Sequence, residues 1–209
     1  MTAHQTELET MLAAIRACRV CAETPQGKAL PHAPRPVLRA SRTARLAVCS
    51  QAPGTKVHLS GTPFTDRSGD RLREWMGVTP EQFYDEARVA IVPMGFCFPG
   101  QNEKGADLPP RQECARLWHE KLFAALPQIE LLLAVGAYAQ NFHLGEAAGA
   151  SLQETMLAWR KHLKRKTRPR VLPLPHPSWR NNAWLKANPW FEAELLPVLR
   201  REVRLLLLL

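Results

Sequence analysis

The chain alternates short apolar runs, typical of buried strands, with longer stretches in which apolar residues recur at helical spacing. The apolar runs cover residues 45–50, 89–92, 129–135 and 171–174. Strands separated by helices favour a parallel sheet covered on both faces. The pattern therefore predicts an α/β fold, a three-layer α/β/α sandwich with a central, largely parallel four-stranded sheet. Its helices are predicted at residues 6–17, 68–76, 79–86, 111–126, 137–143 and 189–209.

Two of these helices carry start signals, and two loops are conspicuous. Thr79 precedes Pro80, which is the usual order of an N-cap and a first helical residue. Ser68 is the predicted cap of the helix at 68–76, whose first amides would point toward the loop after the first strand. Residues 25–43 and 95–110 are rich in proline or glycine. Long loops inside a compact domain are usually functional.

Composition bounds the class of protein. With 209 residues, 45% of them hydrophobic and 22% charged, the chain is expected to bury a core as one domain, residues 1–209, and disorder is excluded. No secretory signal is recognisable and no apolar run reaches the length of a membrane span. A cytoplasmic location without membrane attachment is therefore expected, while the sequence leaves the oligomeric state open.

The chain is strongly basic. It has 28 Lys and Arg against 19 Asp and Glu, a net charge of +9. Such a charge favours an anionic partner, nucleic acid first. Seven basic residues at 160–170 form a run suited to sequence-independent contact with phosphates, although a solvated helix face explains the run equally well. They are Arg160, Lys161, Lys164, Arg165, Lys166, Arg168 and Arg170.

The cysteines are spaced like metal ligands. Cys18 and Cys21 form a C-x2-C pair, and sixteen residues separate Cys97 from Cys114 across the proline-rich loop. Four thiolates suit a zinc ion or an iron-sulfur cluster, and unligated thiols remain a third interpretation. Cys49 ends an apolar run and is expected to be a buried free thiol.

Two polar motifs follow predicted strands. Gln51, Ala52, Pro53 and Gly54 come after the first strand, and a motif beginning with His176 comes after the fourth. Because parallel strands end at one edge of a sheet, both loops are expected at the same edge, where open α/β sheets bind ligands. Close to the first loop, Pro63 and Phe64 offer an apolar surface for a planar ligand, with plain core packing as the alternative.

These motifs resemble those of the uracil-DNA glycosylase superfamily. Residues 51–54, Gln-Ala-Pro-Gly, are similar to Gly-Glu-Ala-Pro-Gly of its thermostable iron-sulfur branch and to Gly-Gln-Asp-Pro-Tyr of its best-known branch. Residues 176–178 match its His-Pro-Ser motif. Residues 61–69 and 133–139 resemble two further segments of the iron-sulfur branch, Gly-Arg-Pro-Phe-Val-Gly-Arg-Ala-Gly and Val-Ala-Leu-Gly-Ala-Thr-Ala. The iron-sulfur branch is therefore the nearest match, with a divergent first motif.

The resemblance implies an activity and its residues. A monofunctional uracil-DNA glycosylase flips uracil, or a related deaminated or oxidised base, from single- or double-stranded DNA and hydrolyses its N-glycosidic bond. Phe64 would then stack on the base, which Gln51, Ala52, Pro53 and Gly54 would cradle. Gln51, at the carbonyl edge of the base, would also join His176 and Asp66 as a catalytic residue. His176 would donate to a uracil oxygen, and Asn181 would read the base edge, with a role in the loop turn as its alternative. Ser178, Trp179 and Arg180 would contact DNA, and a structural 4Fe-4S cluster would be held by Cys18, Cys21, Cys97 and Cys114.

Two departures from the family pattern affect the expected chemistry. Ser50 replaces the first glycine of the first motif, and neither Gln51 nor Ala52 supplies the carboxylate that other branches have there. Pro93 falls near the position where relatives carry an asparagine that reads the base. Asp66 is then the nearest carboxylate able to act on water, with a helix cap as its alternative role.

Three functions remain open on the sequence alone. The resemblance favours a glycosylase. A catalytically weak nucleic-acid binding protein on the same fold would show the same motifs with the same missing acid. A cysteine-metal protein with a redox task is the third, because it requires only the four spaced thiols.

Overall fold

The computed structural model describes residues 3–208, with side chains described from residue 7. Four strands form one sheet: β1 Leu46–Cys49, β2 Val89–Ile91, β3 Leu131–Val135 and β4 Arg170–Leu174. Their order across the sheet is β2-β1-β3-β4, and every pairing is parallel. The predicted fold is confirmed, since helices cover both faces of this sheet.

Alternation along the strands explains the three layers. In β1, Leu46 and Val48 belong to one buried cluster, whereas Ala47 and Cys49 belong to the other. Successive side chains of a strand point to opposite faces, so each strand contributes to two cores. Apolar residues on both faces are what a doubly covered parallel sheet requires.

The helices flank this sheet in chain order. The first group is α1 Ala3–Arg16, α2 Val20–Glu23, α3 Thr55–Ser60, α4 Arg67–Met76, α5 Pro80–Phe83, α6 Gln112–Cys114 and α7 Glu120–Ala124. The second is α8 Ala137–Leu144, α9 Leu152–Leu157, α10 Trp159–Leu163, α11 Asn182–Ala187 and α12 Leu196–Leu207. Two π-helical segments, Ala115–His119 and Phe191–Leu195, lead into α7 and α12. None of the helices in residues 3–208 has the length and apolar character to cross a membrane.

The structure confirms one of the two predicted helix caps and contradicts the other. Thr79 caps α5 as predicted, and its reciprocal bonds with Gln82 form a capping box. Ser68 does not cap α4, so that prediction is wrong. The cap is Asp66, whose Oδ1 accepts from the Gly69 amide at 3.1 Å. A carboxylate is at least as good a cap as a hydroxyl, and the helix begins earlier than its apolar periodicity indicates.

Candidate active site

The carboxyl edge of the sheet brings the two predicted motifs together. The first motif follows β1, and His176 follows β4, which lies across β3 from it. Gly136, the residue after β3, has φ 84°, a left-handed value that favours glycine, and a Cβ there would lie 3.4 Å from the His176 Cβ, an ordinary van der Waals contact. The expected shared edge is therefore confirmed, with glycine needed between the motifs.

Phe64 lies in a strained backbone conformation. Its φ is 56°, a left-handed value that is costly for a bulky residue, and its side chain is buried. Strain of this kind is kept only where the surroundings hold it, commonly at functional sites. Arg73 Nη1 donates to the Phe64 carbonyl at 3.2 Å, and the one hydroxyl proton of Tyr84 is shared between the carbonyls of Pro63 and Phe64, at 2.8 and 3.1 Å. The ring itself packs edge-on against Phe83 at 5.8 Å.

Gly69 completes the support of Phe64. A Cβ at Gly69 would lie 1.9 Å from the Phe64 carbonyl oxygen, so no other residue fits without moving that backbone. The helix α4 therefore presses directly against the strained residue. The sequence displays Gly69 only as part of a motif, because the contact joins two segments through the backbone.

Backbone hydrogen bonds join the first motif to the segment after β2. The Met94 amide donates to the Ser50 carbonyl at 2.8 Å, and the Gly95 amide donates to the Gln51 carbonyl at 2.9 Å. The Gln51 side chain donates through Nε2 to the Leu108 carbonyl at 3.4 Å. The side-chain amide of Gln51 thus contacts the long loop.

A cavity of about 30 Å³ lies between the first motif and Phe64. It is smaller than a nucleobase, so binding a flipped base requires this site to widen. Pro93 contributes apolar surface here. The cavity is lined by Val37, Ser50, Ala52, Pro53, Val57, Pro63, Phe64, Ile91 and Pro93.

His176 sits among charged groups. Burial lowers the pKa of His176 below its ordinary value, and Arg180 acts in the same direction, whereas Asp66 and Asp107 raise it. Burial is the largest of these influences, so the imidazole is neutral near pH 7. A neutral imidazole still carries one N–H donor.

Asp107 is a site residue that the sequence interpretation missed. Its Oδ2 would lie 3.2 Å from a Cβ on Gly54, which places it over the first motif. Its Oδ1 accepts from Gln101 Nε2 at 3.0 Å. The carboxylate comes from the long loop at 95–110, whose length was the only sequence signal.

The segment after His176 is anchored by amides and by Arg71. Asn181 Nδ2 donates to the His176 carbonyl at 2.7 Å, so its amide nitrogen positions the motif. Arg71, which the sequence interpretation also missed, reaches from α4 to the Ser178 carbonyl and to Asn182 Oδ1. Between these anchors, Trp179 is 74% exposed, and Arg180 lies 5.9 Å above its ring.

The four spaced cysteines converge although they are far apart in sequence. Hydrogen bonding from the Cys114 thiol lowers the pKa of Cys21, and burial raises that of Cys97 to about 12. Electrostatic repulsion from Cys18 and Cys21 also raises the pKa of Cys97. Even so, within residues 3–208 no group of three or more His, Cys, Asp and Glu side chains is arranged to hold a metal ion. Cys49, which is not one of these four cysteines, is completely buried.

An ion pair clamps the cysteine segments together. Arg111 Nη2 donates to Glu113 Oε1 at 2.7 Å, while its Nη1 donates to the Lys28 carbonyl at 2.7 Å. The same Glu113 oxygen accepts from the Gln26 amide at 3.0 Å. The segment after α2 is thereby tied to the start of α6.

The basic run lies away from this edge. It ends at Arg170, the first residue of β4, whereas His176 follows the last residue of that strand. Six residues of extended chain span about 20 Å. Part of the run is also paired, since Arg160 contacts Glu194 and Arg170 contacts Glu202.

Comparison with known families agrees with the motifs. The model of the Uracil DNA glycosylase superfamily matches residues 39–200, which contain β1 to β4, both loop motifs, Phe64, Asp66 and Asp107. The match extends over far more than half of the chain and does not depend on the cysteine segment before residue 39. The chain belongs to the uracil-DNA glycosylase superfamily.

Proposed function

We propose that this protein is a monofunctional uracil-DNA glycosylase. A glycosylase-type function on DNA follows from its superfamily. Uracil as the base is supported by Phe64 and the first motif, which line one cavity, and by His176, which follows β4 at the same edge of the sheet. The observation that carries the proposal is the position of His176 at the carboxyl edge, against Gly136 after β3 and within the electrostatic influence of Asp66 and Asp107.

The base is bound before the bond is broken. Uracil leaves the stack and enters the site beside Phe64, whose ring contacts its face. The exposed Trp179 is suited to fill the space left in the DNA, and Arg180 to contact a phosphate. Arg71 and Asn181 hold this segment relative to His176. Widening of the small cavity accompanies binding.

His176 acts where negative charge develops. As the bond between C1′ and N1 breaks, the bonding electrons remain on uracil, and the neutral imidazole donates its N–H to a uracil oxygen. A preorganised donor of this kind stabilises the transition state by about 3 kcal/mol. Water attacks C1′ and loses a proton, which finally neutralises the uracil anion. The products are free uracil and an abasic site.

Two carboxylates are available for the water and the cationic sugar. Asp66 keeps one oxygen on the Gly69 amide, and Asp107 keeps one on Gln101. Both influence His176 electrostatically. We assign the water-orienting role to Asp66 and the stabilisation of positive charge at C1′ to Asp107. Asp66 and Asp107 together take over the role of the carboxylate that is missing from the first motif.

Substitution of the two carboxylates tests that assignment. Asp66→Asn keeps a good helix cap while removing the charge, so folding should be retained. We expect Asp66→Asn and Asp107→Asn each to lower the single-turnover rate of uracil excision by about tenfold or more. Asp85→Asn, before β2 and outside the site, where Asp85 pairs with Arg88, is the matched control. Wild-type rates in both variants would refute the proposed roles.

A panel of oligonucleotides tests the substrate. Single- and double-stranded DNA carrying uracil, hypoxanthine or an oxidised pyrimidine is incubated with the protein, and abasic sites are cleaved with alkali. The proposal predicts product from uracil. Product only from another base would reassign the substrate, and tight DNA binding without product would favour a catalytically weak binding protein.

We also propose a structural 4Fe-4S cluster at Cys18, Cys21, Cys97 and Cys114. The approach of the four thiols supports it, and ligation requires them to rearrange, because the described part of the chain, residues 3–208, forms no group arranged to hold a metal ion. Such a cluster would fasten the N-terminal segment to the loop before α6, outside the chemistry. Anaerobically purified protein should be brown, with a broad visible band that Cys97→Ser abolishes. Colourless protein that contains stoichiometric zinc would show that the thiols bind zinc and would refute the iron-sulfur cluster.

A further inference from the structure

A cluster of basic side chains lies at the end of the sheet opposite the candidate active site. Arg170 begins β4, whereas His176 follows the carboxyl end of that strand, and six residues of extended chain span about 20 Å. The cluster comes from α10 and from the segment between α10 and β4, and all of its side chains are exposed. We call it the basic surface, and it consists of Lys161, Lys164, Arg165, Lys166 and Arg168.

The basic surface makes no ion pair with any carboxylate whose side chain the structure describes. The arginines that precede two other strands are paired, Arg45 with Glu130 and Arg88 with Asp85. Arg168 acts on Glu130 electrostatically, but Glu130 already accepts a hydrogen bond from Arg45 at 2.8 Å. Most of the positive charge of the basic surface is therefore available to an anionic partner.

Helix stability accounts for only part of this charge. The carboxyl end of a helix stabilises cations, which explains Lys161 and Lys164 at the end of α10. That effect falls off within the last turn, and residues 165–168 lie beyond the helix. The charges also add up at one place, because burial lowers the pKa of His162, and Arg165 and Lys161 lower it further. Like charges held this close repel one another, so an anion that binds there relieves a repulsion.

The backbone presents the basic surface in one arrangement. Leu163 is buried in the core beneath it, and the Lys164 amide donates to the Arg160 carbonyl at 3.1 Å. Beyond the helix, the Thr167 hydroxyl donates to the Pro169 carbonyl at 3.2 Å. A surface that is already ordered loses little conformational entropy when it binds a partner.

The composition of the basic surface favours nucleic acid over an acidic protein. Residues 164–168 are Lys-Arg-Lys-Thr-Arg, without an apolar side chain. The core of a protein interface is rich in aromatic residues and poor in lysine, whereas lysine, arginine and hydroxyl groups make many of the contacts with DNA phosphates. Duplex DNA offers one negative charge per about 1.7 Å of its axis. The superfamily to which this chain belongs acts on DNA.

We propose that the basic surface binds the phosphate backbone of a second DNA segment while the carboxyl edge holds the first. A duplex at the carboxyl edge does not reach a surface about 20 Å away at the other end of the sheet, because DNA is stiff over this length. A protein that holds two segments can pass from one to the other without dissociating. This assignment rests on the proposed function, which places the first segment at the carboxyl edge.

A bridging assay tests the second segment. A short biotinylated duplex on beads is saturated with the protein at low salt, the beads are washed, and a second, fluorescent duplex is added. Wild-type protein should retain the fluorescent duplex, and retention should fall as salt is raised, because phosphate contacts release counterions. Failure of the DNA-bound wild type to retain the second duplex at low salt would overturn the proposal.

Matched variants locate the surface. Lys164→Gln/Lys166→Gln should lower retention by about tenfold or more, because each lost phosphate contact releases about one counterion fewer. Arg16→Gln/Arg19→Gln removes the same charge from exposed side chains at and after the end of α1, a helix that packs on the other face of the sheet from α10. This control should retain the second duplex like the wild type. Equal loss in both variants would refute the assignment, and so would full retention in the lysine variant, the result expected if two copies of the protein bridge the duplexes.

Uracil excision separates this inference from the proposed function. With saturating protein, Lys164→Gln/Lys166→Gln should release uracil at the wild-type single-turnover rate, because the altered side chains lie away from the carboxyl edge. A slower rate would place the basic surface in the catalytic contact with DNA and overturn the second segment. Retention of the second duplex by a wild type that releases no uracil would refute the proposed function alone, and uracil release without retention would refute the bridging alone.

Discussion

Gly69 shows how a residue without a side chain positions the candidate base-stacking ring. A methyl group there would overlap the Phe64 carbonyl, which already accepts from Arg73 and Tyr84. Gly69→Ala should therefore shift Phe64 and lower the free energy of unfolding by about 1 to 3 kcal/mol, the usual cost of overpacking. Urea denaturation and the excision rate would measure both effects. Ser68→Ala, one position earlier, should change neither, and a fully active Gly69→Ala would contradict the role of this contact.

Residue chemistry could be predicted from sequence only where a motif carries it. The placement of His176 at the same sheet edge as the first motif followed from two strand ends, and the structure confirms it. Asp107 escaped prediction because it reaches Gly54 through the fold of a long loop, and no local pattern encodes that approach. Asn181 was predicted to read the base, and the structure shows its amide nitrogen on the His176 carbonyl.

At the scale of elements, the Arg111–Glu113 pair determines how the cysteine segment is attached. Glu113 is 5% exposed and accepts from both Arg111 and the Gln26 amide. Glu113→Ala would leave those donors unpaired and should cost about 1 to 3 kcal/mol. Hydrogen exchange should then accelerate across residues 20–30. Glu120→Ala on the exposed face of α7 is the control, and unchanged exchange in Glu113→Ala would show that the clamp is unnecessary.

The strands were easier to predict than the helices. All four apolar runs became strands, because burial on both faces leaves a continuous apolar signal. The short helices α2, α3, α9 and α11 were not predicted, since four to six residues carry too little periodicity. The predicted helix at 111–126 is interrupted by a π-helical segment, whose extra residue per turn leaves no signature in the apolar spacing.

For the whole molecule, buried neutral histidines make stability depend on pH. The pKa of His119 in the folded state, about 4, is below its unfolded value, so the unfolded chain binds more protons as the pH falls. Above about pH 6.5, His119 is neutral in both states and does not affect the free energy of unfolding. As the pH falls toward 4, this free energy decreases by about 3 kcal/mol in total because of His119. The pKa of His143 is also lowered by burial, which adds to the same trend. Glu120 lines the same cavity of about 500 Å³ as the two histidines.

Urea denaturation between pH 7.5 and 4 would measure this dependence. His119→Phe removes the titrating group and keeps an aromatic ring beside Phe96, on which His119 stacks. Its free energy of unfolding should fall less steeply with acid than that of the wild type. Parallel curves for the two proteins would contradict the lowered pKa.

The central claim is that the carboxyl edge of the sheet excises uracil through His176. Its most direct test is the single-turnover rate of uracil release from an oligonucleotide by the wild type and by His176→Ala, with unfolding curves to verify that both are folded. The account predicts abasic product from the wild type and a rate about 10²- to 10³-fold lower in the variant, the cost of losing one such donor. No product at stoichiometric wild-type protein, or equal rates in the two proteins, would contradict it.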